Sequence, residues 1–155
     1  MTGLHYEEFE VGEAIDHEKC RTVSESDNQH FRDMTTNRQS LRLDAEAAGD
    51  TQFGERLVNG LYTVSLAVGL TVSDTTDGTV VADLSYDDVE HPAPTFHGDT
   101  IGARSAVTDE RETSDGEHGV VTVHVEAYRV ADGEETVVCE FDRPVLSLKR
   151  PDAET

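Results

Sequence analysis

The chain has no tryptophan, two cysteines, four prolines and only two lysines, Lys19 and Lys149. Each scarcity excludes something. No run approaches the roughly 18 apolar residues that a membrane-spanning helix needs. Cys20 and Cys139 lie far apart and form no C-x-x-C pair, so neither a zinc site nor a disulfide framework is expected, and both read as small buried side chains. The seven histidines make no H-E-x-x-H or H-x-H pair, so no metal and no metal cofactor are expected. The opening MTGLHYEEFEVGE has neither a basic n-region nor an apolar h-region, which points to a cytoplasmic location.

What abounds is acid. Asp and Glu number 33 against 12 Lys and Arg, a formal net charge of −21 over 155 residues. Such a surface repels phosphate backbones and anionic lipid, so nucleic-acid binding and membrane docking are excluded as functions. The apolar residues are gathered in periodic runs rather than diluted evenly, which separates this chain from disordered acidic ones. The composition fits a folded protein adapted to molar salt, where charges are screened over only about 3 Å.

The length suits one domain, expected over residues 1–150, with 151–155 as a disordered tail. Ala14 to Val23 reads as a strand. Ser24 then caps a helix whose inner face would carry His30, Phe31 and Met34. Thr35 to Ser40 is turn-like, and Leu41 to Ala48 is a short amphipathic helix ended by Gly54. Leu57 to Val72 is apolar all round, as in a helix buried on most sides. Four extended runs follow, Thr79–Glu90, Thr100–Arg111, Gly119–Val130 and Thr136–Lys149, parted by Pro92-Ala93-Pro94, Asp115-Gly116 and Asp132-Gly133. The pattern is α+β, an antiparallel sheet wrapped round one long buried helix.

FGERLVNG (Phe53 to Gly60), the apolar helix after it and HPAPTFHGDT (His91 to Thr100), between an opening YEEFEVGE and a closing LSLKRP, resemble the MaoC-like acyl-CoA hydratases and dehydratases. The nearest branch includes mesaconyl-CoA hydratases. The resemblance implies a hot-dog fold, a homodimer with paired sheets, and a CoA thioester as substrate with no further cofactor. It also implies a catalytic Asp and His in a segment that here runs from Thr35 to Glu46. Asn37 stands where the Asp would be and Arg42 where the His would be. An amide does not ionise and a guanidinium stays protonated, so neither is a general base.

Both remain expected at the pocket, Arg42 to bind a carboxylate or thioester oxygen and Asn37 to orient water. His30, roughly one to two helical turns before Asn37, is the first candidate for the missing titrating group, and His97 the second. Asn59 and Gly60, at the start of the buried helix, would polarise a thioester carbonyl, with Gly98 beside His97 also on the substrate side. Asp44 and Glu46 read as solvated or capping acids, and Asp99 as the tie of a turn. The expected reaction is addition or removal of water at the double bond of a short enoyl-CoA, mesaconyl-CoA being one example. The alternative is a catalytically degenerate domain that binds acyl-CoA or pairs with an active paralogue. Thioester hydrolysis fits less well, because no acid stands within Leu57 to Ser73.

Overall fold

The computed structural model describes residues 3–37 and 57–151. In chain order it contains a 3-10 turn at Tyr6–Glu8, strands β1 (Ala14–Asp16) and β2 (Arg21–Thr22), and helices α1 (Glu25–Thr35) and α2 (Gly60–Thr75). Strands β3 (Val80–Asp83), β4 (Asp87–Glu90), β5 (Thr100–Glu112), β6 (His118–Ala131) and β7 (Glu134–Leu148) follow. All strands pair antiparallel in one seven-stranded sheet. β5, β6 and β7 form its centre, β1 and β2 both join β5, and β3 and β4 both join β7.

The central strands alternate inward and outward residues, the period of two that turns one face to a core. Ile101, Ala103, Val121, Val123, Val125, Cys139 and Phe141 turn inward and are buried against one another. Full burial of such aliphatic or aromatic side chains stabilises by about 1.5–3 kcal/mol each. The β6–β7 hairpin closes at Asp132-Gly133, whose φ values of 53° and 79° are those of the primed turn that matches strand twist.

α2 packs across β5, β6 and β7, as a helix wrapped by a sheet should. Its buried face is richer in threonine than in leucine: Thr63, Ala67, Leu70, Thr71 and Thr75. The threonine hydroxyls are satisfied inside the helix, Thr71 donating to Val68 O at 2.7 Å and Thr75 to Thr71 O at 2.7 Å. The expectation of burial on most sides needs correction, since Leu61 is 63% exposed and Ser65 and Gly69 are also open. Leu57 is outside the helix and bridges to Phe96 instead.

Other expectations are also amended. The strand expected over Ala14 to Val23 is two strands, interrupted where His17 turns inward to bond Asp74 and Ser105. Cys20, in that interruption, is exposed and not buried, whereas Cys139 is buried. Thr79 to Glu90 likewise divides into β3 and β4. Opposite the break stands Pro144, which accepts from Leu84 N but has no N–H to return, so the ladder cannot continue there. The helix expected over Leu41 to Ala48, the breaker Gly54, Asp44, Glu46 and the tail residues 152–155 lie outside the described residues. Among the described residues, no helix is long and apolar enough to cross a membrane.

Candidate active site at the start of the buried helix

α2 begins on a residue that caps it. Asn59 has extended backbone, and its Oδ1 accepts from Leu61 N at 2.9 Å, satisfying one of the donors that a helix start leaves over. Asn59 is 3% exposed, yet its Nδ2 has no hydrogen-bond partner among the described residues. The neighbouring Gly60 N–H has no acceptor among them either. Two donors therefore sit uncommitted where the positive end of the helix dipole lies.

Two histidines meet that end. A Cβ on Gly60 would come within 3.0 Å of the His91 ring, so only glycine lets the imidazole lie against the helix start. His91 and Gly60 line a cavity of about 220 Å³ with Val58, Thr63, Ala93 and Thr95. His97 reaches the same end through Asn28. The Asn28 Nδ2 lies 3.1 Å from His97 Nε2 and donates to Leu57 O at 3.1 Å, while its Oδ1 accepts from Asn59 N at 3.0 Å. Gly98 follows with φ 94°, and Asp99 ties the turn by accepting from Phe96 N at 2.9 Å.

Asn28 was not among the sequence candidates, because α1 is turned differently from its apolar pattern. Its buried residues are Asn28 and Arg32, one turn apart, while His30 is exposed and Met34 is 71% exposed. Of the inner face expected from His30, Phe31 and Met34, only Phe31 is half-buried, edge-on to Tyr62. A helix that packs on a helix start needs polar groups to meet that start's donors and carbonyls. His91 lies within HPAPTFHGDT, and its only signal in the sequence is the glycine at the helix start, a residue small enough to let a ring approach.

His30 is not joined to His97 or Asn59 by any hydrogen bond among the described residues. It lines a groove of about 660 Å³ between α1 and the open side of α2, with Phe31, Met34, Tyr62, Leu66 and Leu70 among its walls. At the groove's rim Arg21 grips Asp27 through two hydrogen bonds of 2.8 and 2.9 Å, holding its carboxyl well below the usual carboxylate range. Tyr62 donates to the same carboxylate at 3.3 Å, and burial together with that negative charge raises its phenol. Asn37 follows the last turn of α1 and donates to Arg32 O at 3.1 Å; Arg42 lies outside the described residues.

Among the described residues, one metal-like cluster stands despite the histidine spacing: His124, Glu126 and Glu140 bring ligand atoms within 4.8 Å of one another. It stands on the outer face of β6 and β7, away from the start of α2. Its charges are met within the protein, His124 Nδ1 lying 2.8 Å from Asp142 and Glu126 accepting from Arg104 at 2.9 Å.

A sheet wrapped on one helix, with its polar centre at the helix start, is the hot-dog arrangement. A Mycobacterium tuberculosis protein described as a double hotdog fold superposes with a TM-score of 0.80 at 20% identity, over 99% of this chain and 46% of that one. A monoamine oxidase regulatory protein from an Archaeoglobus superposes with a TM-score of 0.84 at 29% identity, over 97% of this chain and 98% of that one. Residues 8–129 match the family described as MaoC like domain, and the chain belongs to that family. It is 31% identical to the mesaconyl-CoA hydratase of Cereibacter sphaeroides over 97% of its own length, but spans only 43% of that relative.

Proposed function

We propose that this domain adds or removes water at the double bond of a short enoyl-CoA, holding the thioester carbonyl at the start of α2. The observation that carries this reading is the buried Asn59 Nδ2, a donor without an acceptor among the described residues, one residue from Gly60 N–H. Leaving a buried donor unsatisfied costs about 1–3 kcal/mol, which favours an oxygen placed beside it. A thioester carbonyl gathers negative charge as water adds to the β-carbon, so such donors hold it more tightly in the transition state than before it. The water oxygen bonds to the β-carbon, its proton passes to a titrating side chain, and the α-carbon receives a proton. Imidazoles supply such chemistry near neutrality, and His91 and His97 stand at this end.

In this reading Asn37 places the water and Arg42 meets a second carboxylate. The likeness to a mesaconyl-CoA hydratase supports a small dicarboxylic acyl group. Incubating the purified protein with mesaconyl-CoA and crotonyl-CoA in molar KCl should consume the enoyl thioester, and Asn59→Ala should lower kcat about 100-fold. No turnover on any enoyl-CoA would leave the alternative, a domain that binds acyl-CoA or supports an active paralogue.

The same reading makes the protein a homodimer of a salt-adapted kind. The β3–β4 edge exposes Val81, Leu84, Tyr86 and Val89 beside Asp87, Asp88 and Glu90, which suits pairing with the same edge of a second copy once salt screens the acids. Sedimentation should show a dimer in molar KCl and a lower melting temperature in millimolar KCl. A monomer in molar KCl rules out the pairing, and an unchanged melting temperature rules out the salt adaptation.

A further inference from the structure

We propose that Asn28 is a positioning residue that fixes His97 as the neutral imidazole protonated on Nδ1. The taking of the water's proton then falls to His91 and not to His97 Nε2. The tautomer stands on geometry alone; the division of roles rests on the hydratase reading above.

Asn28 is 0% exposed, and both ends of its amide are tied to backbone groups whose polarity cannot change. Asn59 N–H can only donate, so the atom 3.0 Å from it is the amide oxygen. Leu57 C=O can only accept, so the atom 3.1 Å from it is the amide nitrogen. The second hydrogen of that nitrogen faces His97 Nε2 at 3.1 Å. A planar amide nitrogen donates and does not accept. His97 Nε2 must therefore present its lone pair. A ring protonated on Nε2, whether neutral or charged, would set N–H against N–H at a residue with no access to water, a cost of the size of a lost buried hydrogen bond. A neutral ring carries one proton, and here it resides on Nδ1.

The consequence for chemistry follows from the lone pair. An imidazole takes up a proton through its bare nitrogen, and in His97 that nitrogen is already bound. His91, whose ring lies against Gly60, makes no side-chain hydrogen bond among the described residues and keeps that capacity.

Heteronuclear NMR of ¹⁵N-labelled protein in molar KCl, with His97 assigned by its loss in His97→Gln, reads the tautomer directly. The expected spectrum shows protonated Nδ1 and bare Nε2. A proton on Nε2 overturns the proposal. Asn28→Asp puts a carboxylate oxygen opposite Nε2 and should move the proton there, a shift that a merely space-filling Asn28 would not produce. Should Asn28→Asp fail to fold, the spectrum of the unmodified protein decides alone. In kinetics, the acidic limb of the kcat/KM profile should vanish in His91→Gln and persist in His97→Gln; the reverse overturns the division of roles. An inactive protein with the expected spectrum would defeat the hydratase reading and leave the tautomer standing.

Discussion

The two ends of α2 each meet a histidine, and the partners they offer it differ. At the far end His17 has a fully covered side chain, with Nδ1 2.7 Å from Asp74 and Nε2 2.7 Å from Ser105 Oγ. A carboxylate accepts from Nδ1–H, and a hydroxyl either donates or accepts, so this pair suits the ring neutral or charged. At the near end Asn28 offers His97 a single polarity. The His17 ring is buried between adaptable partners, although Asp74 itself is partly exposed; at the near end the Asn28 amide has fixed polarity, beside the cavity lined by Gly60 and His91. Fixed hydrogen-bond polarity is what a reacting centre uses, and adaptable partners around a covered ring are what a structural tie uses.

The sharpest way to break this contrast is to exchange the consequences. His91→Gln should lower kcat by about two to four orders of magnitude with folding unchanged, the usual size of a lost acid–base group. His17→Gln should leave kcat per folded molecule unchanged. Loss of turnover in the His17 variant would place chemistry at the wrong end of the helix. His30→Gln tests the rival within the groove, and a loss equal to that of His91→Gln would move the proton transfer into the groove between α1 and α2.

Stability should show the opposite ordering. His17→Ala removes one buried and one partly buried hydrogen bond and leaves Ser105, which is 3% exposed, without its partner. The expected cost is about 2–4 kcal/mol by urea unfolding in molar KCl. His91 is exposed, so His91→Gln should cost far less. Equal costs would erase the distinction between tie and site.

A smaller effect tests the clamp that holds α1 near the start of α2. Asp27 is held below its ordinary range chiefly by the Arg21 hydrogen bonds, so the clamp's contribution is present above the unfolded aspartate value of about 3.9 and is lost as pH falls below it. Arg21 is 54% exposed, which limits the contribution to about 1 kcal/mol or less. Arg21→Gln should therefore be slightly less stable than the unmodified protein at pH 6 and equal to it in strong acid. A difference that grows on acidification would contradict the assignment.

The strands were legible because their signal is local. Alternation over Gly119–Val130 and Thr136–Lys149, with Asp132-Gly133 between, foretells β6, β7 and their turn to within two residues. The start of α2 was legible as well, since Asn59 and Gly60 are a capping residue and a residue of minimal size. Asn28 was not, because reading α1 by apolar period assigns Phe31 and Met34 inward, and only tertiary structure reveals a helix start that needs an amide. His17 was hidden within an apparent strand for the same reason. The break at Pro144 was visible in principle, as a proline in a central strand, but its effect falls on the neighbouring edge rather than on its own strand.

Backbone strain supplies the finest distinction between the two ends. After α2 the chain turns through the left-handed region at Gly78, φ 77°, a residue that bears this conformation without steric cost. After α1 it does so at Thr36, φ 64°, a β-branched residue for which the same conformation costs about 1–3 kcal/mol. Thr36 N–H and Asn37 N–H both return to Arg32 O, so the strained turn fixes where Asn37 leaves the helix. Replacing Thr36 by glycine relieves the strain but loosens the unfolded chain, and the balance should stabilise the fold by about 0.5–1 kcal/mol. If the turn positions Asn37 for water, kcat should fall in the same variant even as the melting temperature rises. A variant that is both more stable and equally active would show that Thr36 belongs to neither the tie nor the site.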